Sequence, residues 1–91
     1  MKILWTALSI QDLENIHEYI SKDSIYYADR QIERILNCEH DIADYPKSGR
    51  AVPEYSDDLI REIIIDNYRV IYRIESEHIN ILTVFHGAQL L

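Results

Sequence analysis

Apolar residues recur at helical spacing through the first half of the chain and at strand spacing through the second. Ile10, Leu13, Ile16 and Ile20 stand three or four positions apart, which predicts an amphipathic helix over residues 7–21. Lys2 to Trp5 reads as a short strand before it. Thr6 or Ser9 offers the helix cap, and Asp12 is assigned to the first turn, where a carboxylate favours the helix dipole. Ser24 opens a second helix with the apolar stripe Ile25, Ala28, Ile32, Ile35 and Ile42, and Pro46 stops it after Tyr45. With Lys22 and Asp23 between them, the two helices are expected to form an antiparallel hairpin. Cys38 and His40 fall inside the second helix and read as a half-buried thiol and a solvated histidine. Ile25, Tyr26 and Tyr27 suit either the core or a contact with another protein.

The segment PKSGRAVPEYSDD holds both prolines and one of the two glycines, so residues 46–58 read as a loop. The runs LIREIII, YRVIYRIE and HINILTVFH follow, separated by Asp66-Asn67 and Ser76-Glu77. They are rich in β-branched and aromatic residues, with turn residues between them, and predict an antiparallel meander. The fold class is therefore α+β in the order β-α-α-β-β-β, one domain over residues 1–91.

Strand pairing decides which polar residues meet. A two-residue turn at Ser76-Glu77 sets Arg73 opposite Asn80, Ile71 opposite Leu82 and Arg69 opposite Val84, with His86 diagonal to Arg69 on the same face. The other face then carries Tyr68, Val70, Tyr72, Ile74, Ile79, Ile81, Thr83 and Phe85 and packs on the helices. The same rule at Asp66-Asn67 puts Glu62 on the Arg69 face and sends Arg61 toward the core, a poor place for an unpaired guanidinium. A bulge or longer loop at that turn is expected instead, returning Arg61 to the groove.

Charge narrows the function classes. The chain carries sixteen acids against nine bases, net −7, with −5 in residues 1–45 and −2 in residues 46–91. Nucleic-acid affinity rests on Lys and Arg neutralising phosphates, so an extended nucleic-acid surface is disfavoured. Ninety-one residues suffice for one modest core, burying roughly 60–65% of the unfolded surface. The single cysteine forms no intrachain disulfide, and no basic-then-apolar leader is visible, so a soluble cytoplasmic protein is expected. No apolar run approaches the roughly 20 residues of a membrane span. His17, His40, His78 and His86 lack metal-ligand spacing, and no Gly-rich loop offers a nucleotide site, so no cofactor is expected.

Arg61, Arg69, Arg73 and His86 have the chemistry to bind a phosphate and shuttle a proton, since arginine presents a planar fork of donors and histidine titrates near neutrality. Two plainer accounts stand beside that one. Cross-strand pairs with Glu62 and Glu75 explain the arginines, and a backbone hydrogen bond at a strand end explains His86.

Over residues 3–90 the chain resembles the RelE/ParE superfamily of type II toxins, and its ParE branch more closely. The residues that carry this are Trp5, Thr6, Asp12, Leu13, Ile16, Tyr19 and Ile20, then Pro46, Gly49, Arg50, Val52, Pro53 and Glu54. Ile60, Arg61 and Glu62 follow, then Tyr68, Arg69 and Tyr72, and the strand-end pair Val84 and His86. The resemblance implies a toxin held inactive by an adjacent antitoxin, whose C-terminal segment wraps the toxin surface. RelE-like members cleave mRNA on the ribosome; ParE-like members bind DNA gyrase and poison it without being hydrolases. Family usage places Arg61, Arg69 and His86 near the RNA-cleaving groove, and Arg50, Glu54, Arg73 and Gln89 complete the candidate functional groove.

Departures from the RNA-cleaving pattern set the preference. The chain is acidic, its loop offers only Lys47 and Arg50 as bases, Gln89 stands where that pattern usually has arginine, and the C-terminus lacks an aromatic residue. Gyrase inhibition therefore ranks first, an mRNA endonuclease second, and an attenuated toxin retained as an antitoxin-binding module third. His86 is expected to be mainly structural.

Overall fold

Thr6 ends one element and starts the next. In the computed structural model, which describes residues 1–87, strand β1 is Lys2–Trp5 and helix α1 is Ala7–Ser21. The Thr6 hydroxyl accepts from the Ser9 N–H (3.2 Å) and donates to the carbonyls of Ile81 (2.7 Å) and Leu82 (3.2 Å), so the cap also fastens α1 to the sheet. Helix α2, Ile25–Leu36, is capped by Ser24, whose hydroxyl accepts from the Tyr27 N–H. The predicted single second helix divides at Asn37, and helix α3 runs from Cys38 to Asp44. Asn37 is a weak helix former, and a tightened His40 N–H to Asn37 carbonyl contact of 3.4 Å marks the joint. Both pieces still bury their apolar side: Ile35, Cys38 and Ile42 are inaccessible, whereas Ile25, Tyr26 and Tyr27 are exposed and are not core. Ile10, expected on the buried stripe of α1, is also exposed.

After a short 3-10 turn at Pro46–Ser48 comes strand β2, Arg50–Ala51, inside the segment expected to be loop throughout. Strands β3 (Ile60–Ile65), β4 (Tyr68–Ile74) and β5 (His78–His86) are the predicted meander. Among the described residues the sheet has five strands in the order β1-β5-β4-β3-β2, with β1 parallel to β5 and the remaining pairs antiparallel. The α+β class and element order expected from the sequence hold, with β2 and the parallel β1 edge added.

The register departs from expectation in both hairpins, in opposite senses. The β3–β4 turn is regular: Ile65 pairs Tyr68, so Glu62 pairs Ile71 and Arg61 pairs Tyr72, and the irregularity anticipated there is absent. Asp66 takes the left-handed conformation (φ 55°), and its carboxylate is held by Arg34 Nε at 2.7 Å, an Arg34 terminal nitrogen at 2.8 Å and Gln31 at 3.0 Å. The bulge lies in the β4–β5 hairpin instead. Arg73 faces Asn80 as expected, but Tyr72 pairs Ile81 and Ile71 pairs Thr83, leaving Leu82 as the extra residue. Beyond it Arg69 pairs Phe85 rather than Val84, and His86 pairs Tyr68.

The bulge coincides with a change of neighbour along β5. Its edge pairs with β1 as far as Ile81, opposite Trp5, and from there α1 side chains take over. Thr6 holds the Ile81 and Leu82 carbonyls, and Asp12 accepts from the Thr83 hydroxyl (2.6 Å) and the Val84 N–H (3.0 Å). Asp12 therefore serves the sheet edge, not the first turn of α1. With the parity changed, Val84 enters the core beside Leu13, Ile35, Cys38, Ile42, Val70, Tyr72, Ile79 and Ile81, while Thr83 and Phe85 leave the face they were assigned to.

Candidate functional site

Arg69 lies on the sheet face opposite the helix-packed core, and its guanidinium is enclosed by carboxylates. Its Nε donates to Glu62 at 2.7 Å, one terminal nitrogen donates to Glu54 at 2.9 Å, and the other reaches Glu54 at 2.8 Å and Glu62 at 2.6 Å. Phe85, the cross-strand partner, lies 5.1 Å from the guanidinium carbon to ring centroid. Arg69 is 7% exposed and Glu62 1%, so the pair is withdrawn from water; the Glu54 carboxylate, foremost, holds the guanidinium above its usual pKa range. The other Glu62 oxygen accepts from Arg50 Nε at 2.6 Å, closing a chain Glu54–Arg69–Glu62–Arg50 with two charges of each sign. Cross-strand pairing with Glu62, one account of the arginines offered by the sequence, is realised here.

The remaining arginines are engaged separately. Arg73 donates to Glu75 at 2.7 Å and lies 3.4 Å from Asp57. Arg61 shares the Tyr72 face, and the loop before β3 satisfies it there: Nε donates to the Asp58 carbonyl (2.9 Å), one terminal nitrogen to the Asp58 carboxylate (2.6 Å) and the other to the Gly49 carbonyl (3.1 Å). The unpaired guanidinium that motivated the expected irregularity therefore does not arise. Nearby, the Tyr72 hydroxyl donates to the Pro46 carbonyl (2.6 Å) and accepts from the Gly49 N–H (3.1 Å), pinning the loop to the sheet.

His86 does not join these residues. The bulge turns it onto the Tyr68 face, where its ring stacks edge-on against Tyr68 at 5.7 Å. There it borders a pocket of about 510 Å³ between α1 and the end of β5, with Asp12, Ile16, Tyr19 and Val84 among the lining residues. Asp12 and Tyr19 stand seven positions apart and so share one face of α1. The candidate groove thus separates into an ionic chain (Arg50, Glu54, Arg69), two independent arginines (Arg61, Arg73) and His86 on another face. Gln89 lies outside the described residues. Sequence reasoning missed the grouping of Asp12, Tyr19 and His86, and the seven-residue spacing in α1 was the one signal that pointed to it.

The chemistry open to this arrangement is binding more than proton transfer. An arginine already saturated by two carboxylates offers a phosphate little, and His86 lies on the other face, against Tyr68. Cys38 is an inert thiol: burial first, then Glu39 and Asp41, pushes it up to about 12. Among the described residues no group of three His, Cys, Asp or Glu side chains is placed to hold a metal ion, and no helix is long and apolar enough to cross a membrane.

Comparison with known proteins bears on the same residues. A sequence profile described as the ParE toxin of the parDE type II toxin-antitoxin system matches residues 3–91. The chain is 37% identical over 90 residues to the candidate toxin Y4kP of Sinorhizobium fredii, covering 97% of this chain and 90% of that one. It is 26% identical over 89 residues to toxin RelE2 of Caulobacter vibrioides, covering 98% of each. Among solved structures, the chromosomal ParDE toxin-antitoxin system from P. aeruginosa superimposes with a TM-score of 0.78 at 18% identity, over 94% of this chain and 95% of that one. The YoeB/ParE toxin from Agrobacterium tumefaciens gives 0.63 at 19% identity, over 94% and 98%. These two likenesses concern the fold.

Proposed function

Because the chain belongs to the ParE toxin family of type II toxin-antitoxin systems, we propose that it arrests growth by binding and inhibiting DNA gyrase, and that a cognate antitoxin holds it inactive in the cytoplasm. The observation that carries this reading is the separation of the arginines from His86. Cleavage of RNA by its own 2′-hydroxyl needs a proton acceptor and a phosphate-binding cation converging on one phosphodiester. Here Arg69 is neutralised by Glu54 and Glu62, Arg61 is bound to Asp58 and the Gly49 carbonyl, and His86 lies across the sheet. A net charge of −7 supports a protein target over a nucleic-acid one. A toxin that poisons an enzyme by occupying its surface needs none of that convergence.

The test uses purified toxin in two assays. Loss of gyrase supercoiling with accumulation of cleaved DNA, and intact mRNA in a translation extract, is the expected result. Ribosome-bound mRNA cut at defined codons, with cutting abolished by His86→Ala, overturns the proposal. Normal growth on induction without the neighbouring gene, with antitoxin binding intact, overturns it in favour of an attenuated binding module.

A further inference from the structure

The pocket between α1 and the end of β5 is not used by the reading above. Asp12, Tyr19, Tyr68 and His86 are among the residues that line it. One Asp12 oxygen is committed, accepting from the Thr83 hydroxyl and the Val84 N–H; the other takes no hydrogen bond among the described residues. Those two bonds fix the orientation of a half-buried carboxylate in a pocket that three rings also line. The rings lie close together: Tyr68 stacks edge-on with His86, and its hydroxyl is held above the usual tyrosine range first by burial and then by Tyr19 beside it.

A carboxylate lining a pocket together with aromatic rings is chemistry for a cation. Ring faces attract positive charge, and a desolvated carboxylate is at its most favourable with a fork of N–H donors. The molecule already uses this attraction, with Lys22 Nζ 6.0 Å from the Tyr19 ring centroid and the Arg30 guanidinium 5.7 Å from that of Tyr26. Guanidinium suits the pocket better than ammonium, since it is planar, stacks on rings and is the more weakly hydrated of the two. About 510 Å³ accommodates such a group with its aliphatic stem, which Ile16 and Val84 would flank. The source follows from the surroundings. The charge of the chain, net −7, complements a basic polypeptide that brings such a side chain to the pocket.

We propose that this pocket receives an arginine side chain of the antitoxin, the guanidinium pairing with Asp12 among the rings of Tyr19, Tyr68 and His86. The identity of the partner rests on the toxin-antitoxin reading; the pocket's preference for a guanidinium does not.

Two experiments separate those claims. In the first, the full chain is titrated with Nα-acetyl-arginine methylamide and with its uncharged citrulline counterpart, following the tyrosine and histidine ring resonances by NMR. The arginine probe is expected to shift Tyr19, Tyr68 and His86 while citrulline does not. Asp12→Asn keeps an oxygen to accept from Thr83 and Val84, and is expected to weaken binding roughly tenfold, the cost of a lost charged hydrogen bond. No shift at these rings, equal shifts with citrulline, or an unaffected Asp12→Asn protein overturns the pocket. In the second, the product of the neighbouring gene is titrated against the wild-type chain, Asp12→Asn, and Tyr19→Ala, which alters a residue 72% exposed. Weaker binding by both variants supports the proposal; undiminished binding overturns it and leaves the toxin-antitoxin reading standing. Failure of the wild-type chain to bind that product refutes the antitoxin as the source of the arginine, with the first titration still deciding the pocket.

Discussion

Replacing Arg69 by alanine separates a structural role from a functional one. The substitution leaves Glu62, whose side chain is fully inaccessible, with Arg50 as its cation, and Arg50 is 65% exposed. Removing one member of a buried ion pair costs about 3–5 kcal/mol, chiefly because the remaining charge is stranded in a medium that solvates it poorly. Arg50 retains part of the compensation, so the low end applies, about 3 kcal/mol. For domains of this size each kcal/mol moves the melting temperature by about 4–8 °C, which gives a fall of roughly 12–24 °C. Trp5, the only tryptophan, reports unfolding in urea by fluorescence, and calorimetry gives the melting temperature independently.

The companion variant replaces both charges, Arg69→Met with Glu62→Leu. Apolar groups of similar volume in place of a buried pair are often neutral or stabilising, so the double variant is expected to recover most of the loss. Glu54, 29% exposed, and Arg50 can then be hydrated. An Arg69→Ala protein melting within about 4 °C of wild type, or a double variant no more stable than the single one, refutes the reasoning. Loss of toxicity in Arg69→Ala alone therefore identifies no catalyst unless its stability is measured alongside.

Three further outcomes are expected. Gly49→Ala places a Cβ 2.5 Å from both the Glu62 carbonyl oxygen and the Tyr72 hydroxyl, and should cost about 1–3 kcal/mol as overpacking, read from urea midpoints at unchanged m-value. Cys38, with its thiol pushed up to about 12 by burial, should resist alkylation in the folded chain and react fully in denaturant; because the unfolded thiol ionises near 9, its contribution to stability is complete below about pH 9 and is lost as pH rises toward 12. Asp66 is held below the usual carboxylate range, first by its hydrogen bond from Arg34, so its contribution is present above the ordinary carboxylate pKa and lost as pH falls through the lowered one; Asp66→Asn should lower the melting temperature at neutral pH and not in strong acid.

The elements were legible where local pattern decides them. Three- and four-residue spacing gave α1 and the extent of α2 with α3, Ser24 and Pro46 bounded the latter, and turn chemistry placed the three long strands. What stayed hidden depends on partners distant in sequence. Strand β2 is two residues whose extended form is set by pairing with Glu62 and Arg61, in a segment full of turn residues. The break at Asn37 has no proline or glycine to announce it. Arg61 looked misplaced because periodicity shows the face a side chain occupies but not that Asp58 and the Gly49 carbonyl wait there. Half of the ionic chain was visible, since Glu62 follows onto the Arg69 face from the regular turn, but the approach of Glu54 is tertiary.

The bulge at Leu82 carries the most consequence for function, because one residue of parity rearranges two sites. Side chains alternate along a strand, so an extra residue exchanges everything beyond it between the faces. Without it His86 would stand diagonal to Arg69, in the single groove expected from the sequence. With it, Phe85 takes the place beside Arg69 and His86 turns toward Tyr68 and α1. The bulge is held by Thr6 and Asp12, two residues of the N-terminal motif through which the chain resembles its family, so that motif and the strand-end histidine are physically coupled. The same Asp12 that receives the displaced strand edge also lines the pocket beside Tyr68 and His86. The arrangement that withdraws His86 from the arginines therefore also places it with Asp12 and Tyr19 in the lining of the pocket proposed above to take a guanidinium.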